Sequence, residues 1–440
     1  MKDNNTLPNE WELKRLDEIG EVCSGSTPPT GSPECWDGSV VWITPNDLSK
    51  LRTPYISDSG RKITAKGLKN IGGNLLPPNS IVISSRAPIG YVAIPQAEFC
   101  TNQGCKSIAL RDNYSAEFVY YNINFHVDKL KNVGNGTTFT EITKTDLCAT
   151  RLPFPTEKTE QAQIAAVLSC LDRAIEQTEA LIAKQQRLKR GLMQDLLTKG
   201  IDAHGNIRSE ATHQFKDSPL GRIPQEWEVF TFEQLIESAV DGPFGSNLKT
   251  EHYVPSPGVR VIRLQNIGIG YFNDRDKAYV SGSHAQTLKR HEIAPGDLLV
   301  ASLGDAKYPI ARACIYSLDA KPGIVKADCF RIRLKPEMAL NDYVMYLLNC
   351  PNTRGDINLL GQGVTRDRAT LTKLKEIRLY VPPVNEQTEI AQVLNSQTQN
   401  LLKAQTELMK LKVTKAGLMQ DLLTGRVSVG GLLAEGGAGR

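Results

Sequence analysis

The chain has 440 residues, 23% of them charged and 40% apolar, with a formal net charge of +4. That is an ordinary globular balance, which permits nucleic-acid contact through local clusters but supplies no bulk attraction for it. Nine cysteines without a CxxC pair, and histidines without ligand spacing, exclude a zinc site or a disulfide framework and fit a reducing cytoplasm. The polar start and the lack of any apolar run near ~18 residues predict neither a secretory signal nor a membrane span.

In chain order, residues 1–151 read as a mixed α/β domain behind the marker Leu7-Pro-Asn-Glu-Trp-Glu12. Strands are predicted at 40–43, 81–84, 91–94 and 106–110, separated by Gly, Pro and Asn clusters, with a helix over 116–131. Residues 152–200 begin with Pro153-Phe-Pro155 and continue as a 4–3 pattern through Ile164, Leu168, Leu171, Ile175, Thr178, Ile182, Gln185, Lys189, Leu192 and Leu196. The spacing predicts one long helix over 158–198 with a heptad seam, ~60 Å at about 1.5 Å per residue. A polar linker is expected over 201–222. A second α/β domain over 223–376 has strands at 259–264, 298–301 and 328–333 and a helix at 341–348. A second long helix is expected over 377–425, its seam running Ile390, Leu394, Gln397, Leu401, Ala404, Leu408, Leu411, Lys415, Leu418 and Leu422. The Gly- and Ala-rich stretch 426–440 reads as a flexible tail directed back towards the N-terminus.

This order is a duplication. Gly191-Leu-Met-Gln-Asp-Leu-Leu-Thr198 recurs letter for letter at Gly417 to Thr424, 226 positions downstream, and Glu160-Gln161 recurs at Glu386-Gln387 with the same offset. The front marker recurs as Ile223-Pro-Gln-Glu-Trp-Glu228, offset by 216. The helical segments therefore kept their length while the domains between the markers did not. A tandem repeat of this size predicts a pseudo-twofold body.

Enzymatic motifs are missing. There is no GxxxxGK[ST] phosphate loop, no Asn/Asp-Pro-Pro-aromatic tetrapeptide, and no nucleophile signature beside a histidine. No residue is assigned a catalytic role and no metal site is expected. The loops instead carry hydroxyl, amide and basic side chains suited to nucleic acid. In the first domain these are Ser24, Ser26, Thr27, Asn46, Arg86, Asn102, Gln103, Thr137 and Thr138. In the second they are Ser246, Asn247, Gln265, Asn266, Lys326, Gln362, Thr365, Arg366 and Arg368. Arginine reads guanine and Asn or Gln reads adenine in the major groove, while Lys, Ser and Thr mainly hold phosphate. The same residues are also ordinary surface-turn formers.

The order Pro-x-Glu-Trp, Ser24-Gly-Ser-Thr-Pro28, Thr101-Asn-Gln103, Pro-x-Pro before Glu-Gln, and Gly-Leu-Met-Gln-Asp-Leu-Leu resembles the specificity subunit of type I restriction–modification systems, over nearly the whole chain. The second copy departs from this pattern, with Asp241-Gly-Pro243 at the first site and Lys326-Ala-Asp328 at the second, which puts its base contacts in question. The resemblance implies an α+β fold in which two target-recognition domains are separated by two long antiparallel helices forming a coiled coil. It implies that each domain reads half of a bipartite, asymmetric double-stranded DNA target. Two modification subunits, binding S-adenosylmethionine and methylating adenine N6, would assemble on the helices. Two motor/nuclease subunits using ATP and Mg would join them in a full restriction complex. Gln194, Asp195, Gln420 and Asp421, on outward helix faces, are the candidates for docking those subunits. The competing readings are a DNA-reading adaptor of a methyltransferase-only complex and a coiled-coil scaffold for proteins.

Overall fold

The computed structural model describes residues 7–133, 141–243, 245–305, 307–351, 357 and 367–429. The chain divides into two compact units, 1–180 with 406–440, and 181–405. Both divisions fall inside the long helices.

In the first unit β1 (Trp11–Arg15) pairs antiparallel with β10 (Arg151–Pro155), Trp11 opposite Pro155. Between them lie β2 (Gly20–Ser24), β3 (Trp36–Ile43), β4 (Tyr55–Ile56), β5 (Lys62–Ile63), β6 (Ile81–Ser84), β7 (Val92–Pro95), β8 (Phe99–Thr101) and β9 (Cys105–Leu110). One sheet has the order β2-β9-β6-β7-β4 and the other β5-β3-β8, with β3 and β8 parallel. Strands β6, β7 and β8 are buried along their whole length, which is why they read as continuous apolar runs rather than alternating ones. The helix expected over 116–131 is two helices, α1 (Ala116–Phe125) and α2 (Val127–Val133). The break comes at His126, whose Nδ1 lies 3.0 Å from the Asn122 carbonyl and 2.9 Å from its side-chain oxygen. The His126 amide still donates to that carbonyl at 3.1 Å, so the ring adds to the last turn, and the chain leaves the helical conformation at His126 itself, at φ −98 and ψ 17.

The predicted rod is α3 (Lys158–Leu196), 39 residues long. Every seam position from Ile164 to Leu196 is buried or half-buried, so the heptad reading holds.

The second unit repeats the plan. Its β11 (Glu228–Thr231) pairs with a late strand at Arg378–Val381. Next come β12 (Ile236–Asp241), β13 (Tyr253–Val254), β14 (Val259–Ile262), β15 (Ala278–Val280), β16 (Glu292–Ile293), β17 (Leu298–Ala301), β18 (Ala313–Ile315), β19 (Gly323–Val325) and β20 (Cys329–Leu334). The sheets run β12-β20-β17-β18 and β13-β15-β14-β19-β16, and β14 is parallel to β19 as β3 is to β8. Helix α4 (Asn341–Asn349), strand β21 (Arg378–Val381) and α5 (Val384–Leu422), again 39 residues, complete the copy.

The repeated letters are explained by packing. Leu192, Met193, Leu196 and Leu197, at the end of α3, belong to the core of the second unit, whereas Leu418, Met419, Leu422 and Leu423, at the end of α5, belong to that of the first. Each octapeptide thus seats one helix end on the recognition domain of the other copy. In the first unit Lys412 pairs with Glu179 at 2.7 Å and Lys415 with Asp172 at 2.5 Å, and in the second Gln397 Nε2 donates to the Gln185 carbonyl at 3.5 Å. In the first unit one number rises as the other falls, so the helix segments there run antiparallel.

The Trp and Glu-Gln markers meet at the helix starts. Trp227 is fully buried and stacked on Tyr380 at 5.5 Å, a burial worth roughly 4 to 6 kcal/mol at about 25 cal/mol per Å2. Its Nε1 donates to Glu386 at 3.2 Å, as Trp11 Nε1 does to Glu160 at 3.4 Å. Gln161 accepts from the Ser115 amide at 3.0 Å and Gln387 from the Leu340 amide at 2.8 Å, each satisfying the residue that precedes α1 or α4.

The stretch expected as a polar linker, 201–222, is tied down. Ile201 and Arg208 are buried and Phe215–Ser218 pairs with Gly221–Pro224 as a hairpin. Of the tail, only the part up to Val429 is described. Gly425 lies against Pro8 and Trp11, and Val429 is buried in the first unit's core.

Candidate nucleic-acid interface

In the first unit the ends of β2, β3, β6 and β8 converge. Gly25 donates its amide to the Cys105 carbonyl at 3.3 Å, and a Cβ there would stand 2.0 Å from the Asn102 carbonyl. Only glycine lets the 24–28 turn press on the 101–104 turn. Ser26 bridges its amide to the Thr101 carbonyl (2.8 Å) and accepts from Trp42 Nε1 (3.0 Å), while Thr27 Oγ1 donates to Gln103. The Asn102 amide reaches the Ile43 carbonyl at 3.1 Å, and the Ser85 amide the Gly104 carbonyl at 2.8 Å. Asn46 sits exposed on the turn after β3, which Asp47 caps by accepting from the Thr44 amide at 2.9 Å. Ser24, Ser26, Thr27, Asn46, Arg86, Asn102 and Gln103 therefore share one edge. Arg86 is anchored at 3.0 Å to Glu141, which also meets the buried Lys106 at 3.5 Å. Arg61 adds a cation 3.9 Å above the Trp36 ring. Thr137 and Thr138 lie outside the described residues.

The second unit builds the same frame from other letters. Gly242 donates to the Cys329 carbonyl at 3.1 Å, and a Cβ on it would stand 1.9 Å from the Lys326 carbonyl. Lys326 donates its amide to the Ile262 carbonyl at 2.8 Å, as Asn102 does to Ile43, and Ser302 to the Asp328 carbonyl at 3.0 Å, as Ser85 does to Gly104. The departures at Asp241-Gly-Pro243 and Lys326-Ala-Asp328 thus change the presented side chains and leave the scaffold intact.

The equivalence also corrects one residue. Asn266 is fully buried, its oxygen accepting from the Arg263 amide at 2.9 Å and its nitrogen donating to the carbonyls of Asn273 and Asp276 at 2.8 and 2.9 Å. It is the counterpart of the capping Asp47, with no group left for a base. Gln265 is the exposed counterpart of Asn46, and its amide donates to Asp276. That bond, with Arg263 beside it, holds the Asp276 carboxyl below its ordinary range.

Lys326 donates to Tyr253 OH at 3.0 Å, and Arg263 lies 5.8 Å from the same ring. Arg368 pairs with Asp328. Ser246 and Asn247 occupy a separate exposed turn whose Asn247 carbonyl meets His284 Nε2 at 3.0 Å. Gln362, Thr365 and Arg366 lie outside the described residues.

Beneath this edge the buried Arg312 donates to the carbonyls of Ile267 (2.7 Å), Leu303 (2.8 Å) and Leu264 (3.1 Å). It thereby ties the Gln265 turn to Leu303 beside a cavity of about 310 Å3. No sequence motif marks Arg312 or Glu141. Their partners are main-chain atoms or residues far along the chain.

Cys105 and Cys329 sit at matching points under the two edges, and burial pushes both thiols up, Cys105 to about 12. They are protonated packing groups at neutral pH. No group of three or more His, Cys, Asp or Glu suited to a metal ion occurs among the described residues, and none of their helices is long and apolar enough to cross a membrane.

Comparison with known proteins agrees with this doubled architecture. The family model for the type I restriction modification DNA specificity domain matches residues 8–185 and again 224–412. The MjaIX specificity subunit of a type I restriction enzyme from Methanocaldococcus jannaschii is 32% identical over 269 residues, 60% of either chain. The MjaVIII specificity subunit of the same organism is 22% identical over 96% of this chain and 94% of its own. Among solved structures, the type I restriction–modification S subunit from M. genitalium shares the fold with a TM-score of 0.59 at 17% identity, covering 96% of this chain and 98% of that one. The two family matches coincide with the two copies of the repeat, and the chain belongs to the type I restriction–modification DNA specificity family.

Proposed function

We propose that this chain is the non-catalytic, DNA-reading subunit of a type I restriction–modification complex. Each recognition unit reads one half of a bipartite, asymmetric double-stranded target, and the paired helices set the interval between the halves. The observation that carries this reading is one scaffold, built twice, presenting different polar side chains at matching positions: Asn46 against Gln265, and Asn102 against Lys326. Arginines and amides there specify bases at roughly 1–3 kcal/mol per good bidentate contact, while hydroxyls and lysines hold phosphate.

Bond-making belongs to other polypeptides in this reading. Methyltransferase subunits carry S-adenosylmethionine and take a flipped adenine, and motor/nuclease subunits, where present, use ATP and Mg. Gln194 and Gln420 are exposed on the helix ends, where Gly191 and Gly417 face open space, and with Asp195 and Asp421 they form the proposed docking sites. The setting is the cytoplasm.

Exchange of residues 12–150 for an unrelated recognition segment tests the proposal, with adenine methylation mapped genome-wide. One half of the methylated motif should change. Change in both halves, or in neither, contradicts it. A protein scaffold would show no steep loss of DNA binding with salt, whereas a DNA reader must.

A further inference from the structure

Two arginines at the proposed edges are held in a way the reading above does not use. The Ile142 amide donates to the Ser85 carbonyl and the Ala369 amide to the Ser302 carbonyl, both at 2.9 Å. Glu141 bridges Arg86 across the turn as Arg368 pairs with Leu303. Glu141 and Arg368 thus occupy corresponding positions in the two units, yet their charges are opposite. In the first unit the carboxylate of Glu141 takes Arg86 Nε at 3.0 Å. In the second the arginine stands at that position itself and is held by Asp328. Both edges therefore present a carboxylate-held guanidinium at the same place, reached from opposite sides. The two arginine side chains are half exposed, at 50% and 47%, while their carboxylates are less so, at 31% and 27%. Asp328 keeps its carboxylate there at φ 68, a left-handed conformation that few residues with a Cβ adopt.

A carboxylate beside an arginine is a poor arrangement for holding phosphate, because it cancels the charge that phosphate seeks. It is a good arrangement for reading a base, where orientation matters and pre-ordering the long side chain lowers what binding must immobilise. Holding Arg86 through Nε leaves its two Nη nitrogens as a fork matched to O6 and N7 of guanine. We propose that Glu141 and Asp328 are positioning residues for base reading: Glu141 orients the Arg86 fork towards a guanine in one half of the target, and Asp328, which takes Nη2 of Arg368, orients that arginine towards a base of the other half. This rests on the proposed function above.

The test uses the full chain with its methyltransferase subunits and a randomised duplex pool, sequenced after selection. E141Q should relax preference at one base pair of one half about ten- to hundredfold, at the position that R86A relaxes. D328N should do so at the position that R368A relaxes in the other half. Binding to unselected duplex should stay level or rise. Intact base preference with weaker binding to all sequences would overturn the proposal. Glu141 also neutralises the buried Lys106, so K106M/E141Q separates folding from reading. The double variant should melt like the parent and still lose the preference, and recovery of the parental motif would count against the proposal. A parental chain that selects no motif overturns the DNA-reading assignment itself, and the positioning role with it, so the two failures are distinguishable.

Discussion

Replacing Glu386 by alanine should unfold the second unit far more readily than the same change at Glu160 affects the first. The two glutamates are the same letter of the repeat, but their surroundings differ. Glu386 is buried, its side chain 9% exposed, and accepts from Arg208 Nη2 at 3.1 Å, Trp227 Nε1 at 3.2 Å and the Ile201 amide at 3.0 Å. Arg208 is equally buried, and its other contacts are long, 3.4 Å to the Lys199 carbonyl and 3.9 Å to Glu226. Removing Glu386 strands a guanidinium away from water, a loss of about 3–5 kcal/mol. At roughly 2–4 °C per kcal/mol for a unit of this size, the melting point should fall by about 10 °C. Glu160 has Trp11 Nε1 at 3.4 Å, and burial already raises its pKa, so its loss should lower stability by under ~1 kcal/mol. Differential scanning calorimetry of both variants measures the contrast. The double replacement R208M/E386L should regain most of the loss, because a neutral pair leaves no stranded charge. Equal shifts for the two alanine variants, or a shift below ~1 kcal/mol for E386A, would refute the reasoning.

His126 is buried and held near pH 4, against an ordinary value of 6.5. The unfolded chain therefore binds its proton first, and stability present above pH 6.5 is lost as pH falls towards 4, by at most about 3 kcal/mol. H126N should flatten that part of a stability–pH profile, and an unchanged slope would exclude His126 as its source. Alanine at Gly25 or Gly242 would place a Cβ 2.0 or 1.9 Å from a main-chain carbonyl. Each should forfeit about 1–3 kcal/mol or more and, by methylation mapping, impair reading of one half-site only. Four residues inserted near position 180 of α3 add about 6 Å and turn the seam by roughly 40°. The methylated motif should gain a longer spacer or disappear, and an unchanged spacer with full activity would rule out the helices as its measure.

Much of the architecture was legible because periodicity and repetition are local properties. The strands at 81–84 and 298–301 form over the very residues expected, each being a short apolar run between turn formers. The two rods were readable from spacing alone, since a 4–3 seam is meaningful only on a helix. The break at His126 escaped notice because no Gly or Pro marks it. The polar letters of 201–222 concealed Arg208, whose burial depends on Glu386, 178 positions away.

The candidate edge was only partly legible. Side-chain type pointed to turns that the fold gathers on one edge, where Ser26, Asn46, Arg86 and Asn102 converge. Type alone could not separate the exposed Gln265 from its neighbour Asn266, whose amide is consumed by the main chain. Nor could it show that the altered letters at Asp241-Gly-Pro243 and Lys326-Ala-Asp328 keep the same frame.

The sequence by itself determined that the chain is a duplicated unit, that each copy ends in a helix of fixed length, and that it resembles a DNA specificity subunit. Exact repetition and helical spacing survive in the order of letters. Tertiary structure alone decided which helix end is seated on which domain, which polar groups are left facing outward, and which carboxylate holds which arginine. Those outcomes depend on contacts between residues as much as 243 positions apart, and burial there decides whether a polar group is a tool or a strut.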